Sequence, residues 1–393
     1  MTRPAASDPV LPHEGEAARI ALIGGDGIGP EVTGEARRVL EAARSAGLAS
    51  LELEALPHGA DHYLETGETL GDETFRRLRD RFDAILFGAV GDPRVPDNTH
   101  ARDLLLGLRV RLDLYVNRRP LRLRAPGLSP LAELADAGRG MDVTIYRENT
   151  EGLYCGAGGH VRKGTPEEVA VSEGIATRKG VERIVRAAFR AAAGDGGREG
   201  AAGGDGEGAS GGRTRAESSP PRRVTLAEKS NAVPHMYGLW RRVFEEVAGE
   251  YPDVEAETRY VDALAMELVR DPGRFRVIVA ENLLGDILSD LGAELVGGPG
   301  LAPSANVHPG RHGLYEPVHG SAPELAGSGR ANPMAAILSA ALMLRDLGFG
   351  EAAGRVESAV DAALEDEVTT ADLGGDRSTG EVGRWIARRV ASE

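Results

Sequence analysis

The feature that most constrains this chain is the alternation of short apolar runs with amphipathic segments. Runs such as 19–23 (RIALI), 82–87 (FDAILF) and 275–280 (FRVIVA) have the length and composition of buried strands. Each is followed by a polar or glycine-rich turn and then by a segment with helical periodicity. Strands separated by helices predict an α/β fold with a parallel, doubly wound sheet. In such sheets ligands bind beyond the carboxyl ends of the strands.

One segment just beyond such a strand end carries two aspartates. Residues 280–291 (AENLLGDILSDL) place Asp286 and Asp290 four positions apart. On a helix this spacing brings both carboxylates to one face, with Cβ atoms about 5–6 Å apart. Side-by-side carboxylates repel, and Mg²⁺ or Mn²⁺ would neutralise them with the oxygen ligands that these cations prefer. The residues alone leave a solvated acidic helix face as an equal alternative.

Composition excludes several classes of protein. The chain has 393 residues, which is enough for two domains of ordinary size, and its net charge of −15 argues against a nucleic-acid partner. No apolar run reaches the roughly 20 residues of a membrane helix. Residues 1–18 have no apolar core and predict a disordered leader rather than a signal peptide. The single cysteine, Cys155, excludes intramolecular disulfides and predicts a cytoplasmic location.

The basic residues are almost all arginine. Of 46 basic residues only Lys163, Lys179 and Lys229 are lysines, and a lysine retained in such a chain favours a role that needs an amine. The arginines concentrate around a predicted helix at 101–112 and the strands after it, at positions 109, 111, 118, 119, 122, 124 and 147. Arginine suits bidentate binding of carboxylates. A basic surface patch is the alternative, and we favour it for Arg111, Arg122 and Arg124.

The remaining segments predict local structure. The turn 24–31 (GGDGIGPE) is neither a GxGxxG fingerprint nor a P-loop, so it is either a phosphate-binding turn or a tight strand-to-helix turn. Residues 150–176 predict hairpins outside the main sheet that form a dimer arm. Residues 297–304 and 315–324 predict loops. Residues 194–221 are of low complexity and predict a disordered surface insertion.

Eight motifs occur together and in order: GGDGIGPE (24–31), GAVGDP (88–93), LGLR…NRRP (106–120), YRENTEGLY (146–154), EKSN (228–231), YVDALAM (260–266), ENLLGDILSDLGA (281–293) and YEPVHGSAPELAG…ANP (315–333). By these motifs the chain is identified as a member of the β-decarboxylating dehydrogenase family, which includes 3-isopropylmalate, isocitrate, homoisocitrate and tartrate/D-malate dehydrogenases. The resemblance covers residues 19 to about 391, apart from the insertion.

The resemblance implies a two-domain isopropylmalate-dehydrogenase-like fold, with parallel or mixed sheets wrapped by helices and a dimer-forming hairpin arm. Residues 19–115 and 297–393 would form the cofactor-binding large domain, and residues 116–296 the substrate and dimerisation domain. It further implies a homodimer with shared active sites, of which a tetramer could be built, and a small malate-type substrate, with no nucleic acid and no membrane.

The resemblance also assigns roles to residues. It implies that Arg109, Arg119 and Arg147 bind substrate carboxylates. The implied metal ligands are Asp286, Asp290 and, from the partner subunit, Asp262. Catalytic roles fall to Tyr154, Lys229 and Asp262, with Lys229 acting across the dimer. The implied reaction is NAD- and Mg²⁺- or Mn²⁺-dependent oxidation at C2 of a 3-substituted (R)-malate, followed by loss of CO₂.

Cofactor choice is implied by the loop after the GSAP turn. NADP-dependent relatives carry Lys and Tyr where this chain has Glu324 and Leu325. A carboxylate there would bind the ribose diol and repel a 2′-phosphate, so we predict NAD. Seven residues would bind the cofactor: Asn231, His319, Gly320, Ser321, Ala322, Glu324 and Asn332.

The substrate is less constrained. Isocitrate enzymes place Ser and Asn where this chain has Asp103 and Leu105, whereas Leu105 and Leu106 match the leucines that contact the isopropyl group. The best prediction is 3-isopropylmalate, converted to 4-methyl-2-oxopentanoate, CO₂ and NADH in leucine biosynthesis.

Three departures keep other substrates open. No acidic residue opens the helix, where Ala101 and Arg102 stand. RENTEG is typical of the isocitrate and tartrate/malate branches. Arg102 and Arg118 add positive charge near the pocket. The alternatives are a tartrate/D-malate-type enzyme or a specialised-metabolism homologue that acts on another alkyl- or carboxymalate. A non-catalytic regulatory subunit is a remote one, because the metal ligands and the lysine are all present.

Overall fold

The computed structural model of this protein describes residues 16–131, 140–194 and 222–392. The predicted leader (1–18) and the predicted insertion (194–221) fall outside this described part, apart from their edge residues. No helix among the described residues is long and apolar enough to cross a membrane.

Twelve strands are found in the described ranges. They are β1 (Ala18–Gly25), β2 (Leu51–Leu56), β3 (Ala84–Ala89), β4 (Val116–Arg122), β5 (Asp142–Glu148), β6 (Gly158–Val161), β7 (Val169–Ser172), β8 (Arg223–Glu228), β9 (Glu255–Tyr260), β10 (Val277–Ala280), β11 (Pro303–Val307) and β12 (Gly313–Pro317). Ten of them form one sheet in the order β2-β1-β3-β12-β11-β4-β5-β10-β8-β9. The prediction of an α/β fold with a parallel or mixed sheet is confirmed.

The sheet has two parallel sections with an antiparallel centre. Strands β2, β1, β3 and β12 run parallel at one end, and β5, β10, β8 and β9 run parallel at the other. Between them β11 and β4 pair antiparallel with each other and with their outer neighbours. The first section and β11 come from residues 19–115 and 297–393, and the rest from residues 116–296. The division into two domains stays a prediction.

Helices cover both faces of the sheet. They are α1 (Gly29–Ser45), α2 (Ala60–Thr66), α3 (Asp72–Arg81), α4 (99–111), α5 (Arg178–Ala193), α6 (Pro234–Ala248), α7 (Val261–Arg270), α8 (Asn282–Leu295), α9 (Met334–Asp346), α10 (Gly350–Glu365) and α11 (Thr379–Ser392). Helix α9 is apolar around most of its circumference and is buried accordingly. It lies in a core that α1, α10 and α11 complete around strand β1.

Helix α4 is not uniform. It is α-helical at Thr99–Ala101, π-helical at Arg102–Leu106 and α-helical again at Gly107–Arg111. The sequence predicts one regular helix over 101–112, so the π-helical turn is a departure. Such turns occur mostly as single bulges inside α-helices, frequently at functional sites.

Two segments predicted as loops contain central strands. Strand β11 (Pro303–Val307) begins inside the segment 297–304, and β12 (Gly313–Pro317) overlaps the segment 315–324. The loop prediction was wrong for their strand residues because the runs are short and carry Pro, Ser, Asn and Glu. Their polar side chains are buried with partners: Glu316 Oε1 accepts hydrogen bonds from Arg109 and Asn306.

Strands β6 and β7 form a separate two-stranded antiparallel sheet. The hairpin outside the main sheet is therefore as predicted. Its valines at 161, 169 and 171 are exposed within one chain. Contiguous exposed apolar side chains mark interaction surfaces. The role of this hairpin in a dimer stays a prediction.

Candidate active site

Three buried arginines converge from three elements. Arg109 lies at the end of α4, Arg119 on β4 and Arg147 on β5, and none is more than 7% exposed. Burial, together with repulsion from Arg119 and Arg109, lowers the pKa of Arg147 to about 9, although Asp286 opposes the shift. Burial and repulsion from Arg109 also lower the pKa of Arg119. The cluster concentrates positive charge that an anionic ligand would stabilise.

Helix α8 places the two predicted metal ligands beside these arginines. Glu281 begins the helix as its N-cap, because its carboxylate accepts hydrogen bonds from the amides of Leu283 and Leu284. Gly285 lets the helix approach strand β5 closely. A Cβ atom at this position would lie 2.7 Å from Cγ of Arg147.

Hydrogen bonds join the arginines to the aspartates. Arg147 donates from Nη1 to Asp286 Oδ1 at 2.5 Å, and the hydroxyl of Tyr154 donates to Asp286 Oδ2 at 2.9 Å. Arg119 donates to Asp290 Oδ1 at 3.0 Å and lies 3.4 Å from Asp286 Oδ1. The side chains of Asp286 and Asp290 stay 29% and 64% exposed. The pair of carboxylates therefore faces an open space.

This donor set fits part of a divalent-cation site. Asp286 and Asp290 supply hard oxygen donors one helical turn apart, which suits Mg²⁺ or Mn²⁺. In the described ranges no group of three or more histidine, cysteine or acidic side chains is arranged to hold a metal ion. One chain thus offers two carboxylates as ligands for such a cation.

Lys229 and Asp262 form a pair of their own. Lys229 follows β8, Asp262 lies in the first turn of α7, and Lys229 Nζ donates to Asp262 Oδ1 at 2.5 Å. This bond lowers the pKa of Asp262. Within the described residues no hydrogen bond or ion pair joins this pair to Asp286 or Asp290. The Asp262 carboxylate is exposed, as is the nearby side chain of Met266.

The leucines of α4 divide between core and pocket. Leu104 is buried and Leu105 packs partly on the same apolar cluster, whereas Leu106 is half-buried outside it. Leu105 and Leu106 both belong to the π-helical turn. The predicted contact of Leu105 and Leu106 with the substrate stays a prediction.

Arg118 contributes no free charge to the pocket. It neighbours Arg119 on β4, so its side chain points to the opposite face of the sheet. There its guanidinium donates to both oxygens of Asp346, at 2.9 and 2.7 Å. The expectation that Arg118 adds positive charge near the pocket is therefore wrong. Arg102 is exposed and lies 3.6 Å from Asp103.

The glycine turn after β1 packs against the predicted cofactor loop. The amide of Ile28 donates to the carbonyl of Ser321 at 2.8 Å, and a Cβ at Gly27 would lie 1.9 Å from that oxygen. The amides of Asp26 and Gly29 also donate to backbone carbonyls. These bonds favour the tight-turn interpretation of residues 24–31 over a phosphate cradle.

The predicted cofactor residues lie in one loop, except Asn231. Gly320 to Glu324 follow β12, and Ala322 adopts a left-handed backbone with φ of +37°. Burial lowers the pKa of His319, whose Nε2 is buried and has no hydrogen-bond partner among the described residues. Asn332 donates to Asp372 and accepts from the amide of Met334.

Two further residues that are predicted to bind the cofactor have exposed side chains. Glu324 is exposed, with no side-chain hydrogen bond or ion pair in the described part of the chain. Asn231 is also exposed, but it lies beside Lys229 at the other end of the sheet. Its position at the cofactor stays a prediction.

Sequence reasoning missed the residues that hold these side chains in place. Glu316 binds Arg109, Asn282 binds Nε of Arg147 and Ser289 binds Arg119. Asp26 and His100 form a buried pair. Glu316, Asn282, Ser289 and Asp26 lie inside the motifs quoted above, so their place in a motif could have indicated a role. His100 lies outside them, and its spacing carries no signal.

With this geometry in hand, comparisons with known proteins give the class. The family model described as isocitrate/isopropylmalate dehydrogenase matches residues 19–199 and 210–386. A 3-isopropylmalate dehydrogenase of Thermobifida fusca (strain YX) is 44% identical over 377 residues, covering 95% of this chain and 98% of its own.

Solved structures agree with that result. An isocitrate dehydrogenase from Methylococcus capsulatus superposes with a TM-score of 0.80 at 35% identity, covering 95% of this chain and 100% of its own. The apo form of a beta-decarboxylating dehydrogenase from Thermococcus kodakarensis gives 0.71 at 37% identity, covering 95% and 96%.

The chain belongs to the isocitrate/isopropylmalate dehydrogenase family. It is an oxidoreductase, and family membership implies a dinucleotide and a divalent metal.

Proposed function

We propose that this protein catalyses the NAD-dependent oxidative decarboxylation of 3-isopropylmalate to 4-methyl-2-oxopentanoate in leucine biosynthesis, with Mg²⁺ or Mn²⁺. The observation that carries the proposal is the cluster of three buried arginines beside two open carboxylates. A dicarboxylate would compensate the arginines, and a divalent cation would compensate the aspartates. Relatives with the name 3-isopropylmalate dehydrogenase support this choice of substrate.

Substrate carboxylates would be held by Arg109, Arg119 and Arg147. The guanidinium of Arg109 is oriented by Glu316 and that of Arg147 by Asn282, so both are fixed before a ligand arrives. Nε of Arg109 and of Arg119 is buried and has no partner among the described residues. A bound carboxylate would offer acceptors to such groups and so reduce the cost of burying them.

The metal would be held by Asp286 and Asp290 of one subunit and by Asp262 of the other. When bound, it supplies Lewis-acid stabilisation of negative charge on the substrate oxygen next to the reacting carbon. Asp286 also orients Tyr154 through the 2.9 Å hydrogen bond.

Proton transfer is assigned to Tyr154 and Lys229. Burial and the hydrogen bond to Asp286 raise the pKa of Tyr154, so its hydroxyl stays protonated and can donate to C3. Lys229 would take the proton of the 2-hydroxyl, directly or through Asp262. Because Lys229 and Asp262 make no hydrogen bond or ion pair to Asp286 or Asp290 among the described residues, we assign them to the site of a second subunit. This assignment makes the protein a homodimer with shared sites.

NAD is favoured over NADP by Glu324. Its exposed carboxylate lies on the loop that follows β12, beside the buried Ser321. A carboxylate accepts hydrogen bonds from a ribose diol and repels a 2′-phosphate.

An alkyl substituent on the substrate is favoured by the groups around α4. Arg118 is neutralised on the opposite face of the sheet, and Leu106 is half-buried outside the core cluster. The RENTEG residues have structural partners: Glu148 accepts from the amides of Thr150 and Glu151, and Asn149 donates to the carbonyl of Leu114. A leucine-lined pocket gains about 1–3 kcal/mol per added apolar group, so selectivity among homologues is modest.

The test combines a substrate panel with mixed dimers. Initial rates of NADH formation with 3-isopropylmalate, D-malate, tartrate, isocitrate and homoisocitrate should rank 3-isopropylmalate first in kcat/KM. Asp286→Asn and Lys229→Met should each lose almost all activity. A dimer with one chain of each kind has one intact site, so an equal mixture should recover roughly a quarter of wild-type activity.

Three results would each overturn one part of the proposal. A higher kcat/KM for isocitrate or D-malate would contradict the substrate, and equal use of NADP⁺ would contradict the role of Glu324. No recovery in verified mixed dimers would place Lys229 and Asp286 in the same chain's site.

A further inference from the structure

A buried pair, Asp26 and His100, links two segments that are far apart in the sequence. His100 lies in the first turn of α4, and Nε2 of its ring is 2.7 Å from Oδ2 of Asp26. Both side chains are only 2% exposed. Neither residue belongs to the substrate, metal or cofactor groups described above.

The carboxylate of Asp26 accepts hydrogen bonds from two separate backbone segments. Its Oδ1 accepts from the amide of Ala60, the first residue of α2, at 2.5 Å, and its Oδ2 accepts from the amide of Gly91 at 2.7 Å. Gly91 lies close to the cofactor loop, since a Cβ there would be 3.4 Å from Oγ of Ser321. Asp26 itself begins the turn that packs on Ser321 through Ile28.

The ring of His100 is fixed on two sides. It stacks on Tyr63 of α2, with ring centroids 5.9 Å apart and an angle of 20° between the planes. Its Nδ1 is buried and has no partner among the described residues. The proton therefore belongs on Nε2, which donates to the carboxylate.

Helix α4 carries the substrate side chains just beyond this anchor. The π-helical turn with Leu105 and Leu106 begins two residues after His100, and Arg109 follows two turns later. Because a π-helical turn interrupts the regular ladder, the position of these side chains depends on how the first turn of the helix is held.

We propose that His100 is a positioning residue for substrate selectivity: through Asp26 it fixes the start of α4 to the turn that packs on the cofactor loop, and so sets the position of Leu105, Leu106 and Arg109. The proposal rests on the proposed function for the identity of the ligands. The link would transmit changes at the cofactor loop to the alkyl pocket, and the reverse, through one carboxylate.

The test compares His100→Leu with His100→Gln. Leucine removes the donor at similar volume, whereas glutamine keeps an N–H group within reach of Asp26. His312→Leu is a matched control: His312 is also buried in this half of the sheet, bonds a carbonyl through Nε2 at 3.2 Å and leaves Nδ1 without a partner in the described ranges. Tyr63→Leu removes the stacked ring and disturbs folding less.

The expected result with His100→Leu is a rise of about 10- to 100-fold in KM for 3-isopropylmalate, because small displacements of binding groups carry costs of this size. Its preference for 3-isopropylmalate over D-malate should fall, and kcat should change less than KM. In His100→Gln the KM and the substrate preference should return most of the way to those of the wild type. Tyr63→Leu should shift KM in the same direction by less, and His312→Leu should lower thermal stability while it leaves both values unchanged.

Hydrogen exchange of the free protein separates this proposal from the proposed function. The amides of residues 101–111 should exchange faster in His100→Leu than in His312→Leu, whichever malate the enzyme oxidises. Equal exchange in these two variants, or equal KM shifts in both, would overturn the role of His100. If His100→Leu does not fold, an unchanged KM and selectivity in Tyr63→Leu would overturn it. A wild-type enzyme that prefers another substrate would overturn only the proposed function.

Discussion

The two faces of strand β4 bury neighbouring arginines in opposite ways. Arg118 and Arg119 are 8% and 7% exposed, so burial does not distinguish them. Arg118 meets both oxygens of Asp346, which also accepts from the hydroxyl of Tyr315. Arg119 meets Asp290 through one oxygen, and that carboxylate stays largely open to solvent.

The pKa shifts of the two arginines record this difference. Burial is the largest single influence and lowers the pKa of Arg118, but attraction and hydrogen bonding to Asp346, together with Tyr146 and Tyr315, leave the pKa raised. Burial prevails for Arg119, whose pKa is lowered. The folded protein therefore favours the charge of Arg118 and disfavours that of Arg119. The charge of Arg118 is thus compensated within the chain, whereas part of the charge around Arg119 and Asp290 is left for a ligand to compensate.

The largest expected effect is the loss of catalysis in Arg119→Gln. The kcat/KM for the malate substrate should fall roughly 100-fold or more, because a buried charged contact to a carboxylate is removed. The neighbouring variant Arg118→Gln should keep wild-type kcat/KM at temperatures where it is folded. Steady-state kinetics of both proteins measures the contrast. Comparable losses in both variants would mean that the two faces of β4 do not differ in function.

The next largest effect is on stability and concerns the buried pair of Arg118 and Asp346. Asp346→Leu leaves the charge of Arg118 buried without its carboxylate and should cost about 3–5 kcal/mol of unfolding free energy. The double variant Arg118→Leu with Asp346→Leu should recover much of this loss, since no charge remains to be compensated. Chemical denaturation of the two variants and of Arg118→Leu gives the coupling. Additive losses would show that the pair is not coupled.

The smallest effect is expected at Asp290. Burial, with repulsion from Asp286, raises the pKa of this carboxyl in the folded protein. Between the pKa of the unfolded state and the higher pKa of the folded state, the folded protein holds a proton that the unfolded chain has released. Above the folded-state pKa the carboxylate is charged in both states, and Asp290 lowers the stability of the fold. Asp290→Asn should slightly raise the melting temperature of the metal-free protein at pH 8.

The pH dependence checks the cause of that gain. It should vanish below about pH 4, where the unfolded carboxyl is protonated as well. Mn²⁺ should raise the melting temperature of the wild type more than that of Asp290→Asn. A variant that is less stable than the wild type without metal at pH 8 would show that the bond to Arg119 outweighs repulsion.

Much of the fold could be predicted from the sequence, because buried parallel strands are apolar and helices show their period. Strand β3 and helix α8 are cases in which pattern and structure agree. The central strands β11 and β12 could not be recognised. Their burial depends on pairs such as Glu316 with Arg109, which lie more than 200 positions apart in the sequence.

The site divides in the same way. Residue types at strand ends indicated Arg147 and Asp286, and the structure brings them within 2.5 Å. Whether Arg118 or Arg119 faces the cleft depends on the register of β4, which places one of each neighbouring pair on either face. The pair of Asp26 and His100 could not be predicted, since a histidine in a helical segment has no pattern of its own.

The core around α1 and α9 has a consequence for the order in which the chain folds. It is built from strand β1 and helix α1 together with α9, α10 and α11, so its parts lie about 300 residues apart in the sequence. During synthesis β1 and α1 are made first. The apolar surface that they bury against α9 to α11 stays exposed until those helices have been made. The section made of β5, β10, β8 and β9 takes its parallel partners from residues 142–280, so it can form before α9 to α11 are made. The core around β1 and α1 cannot be completed until those helices exist.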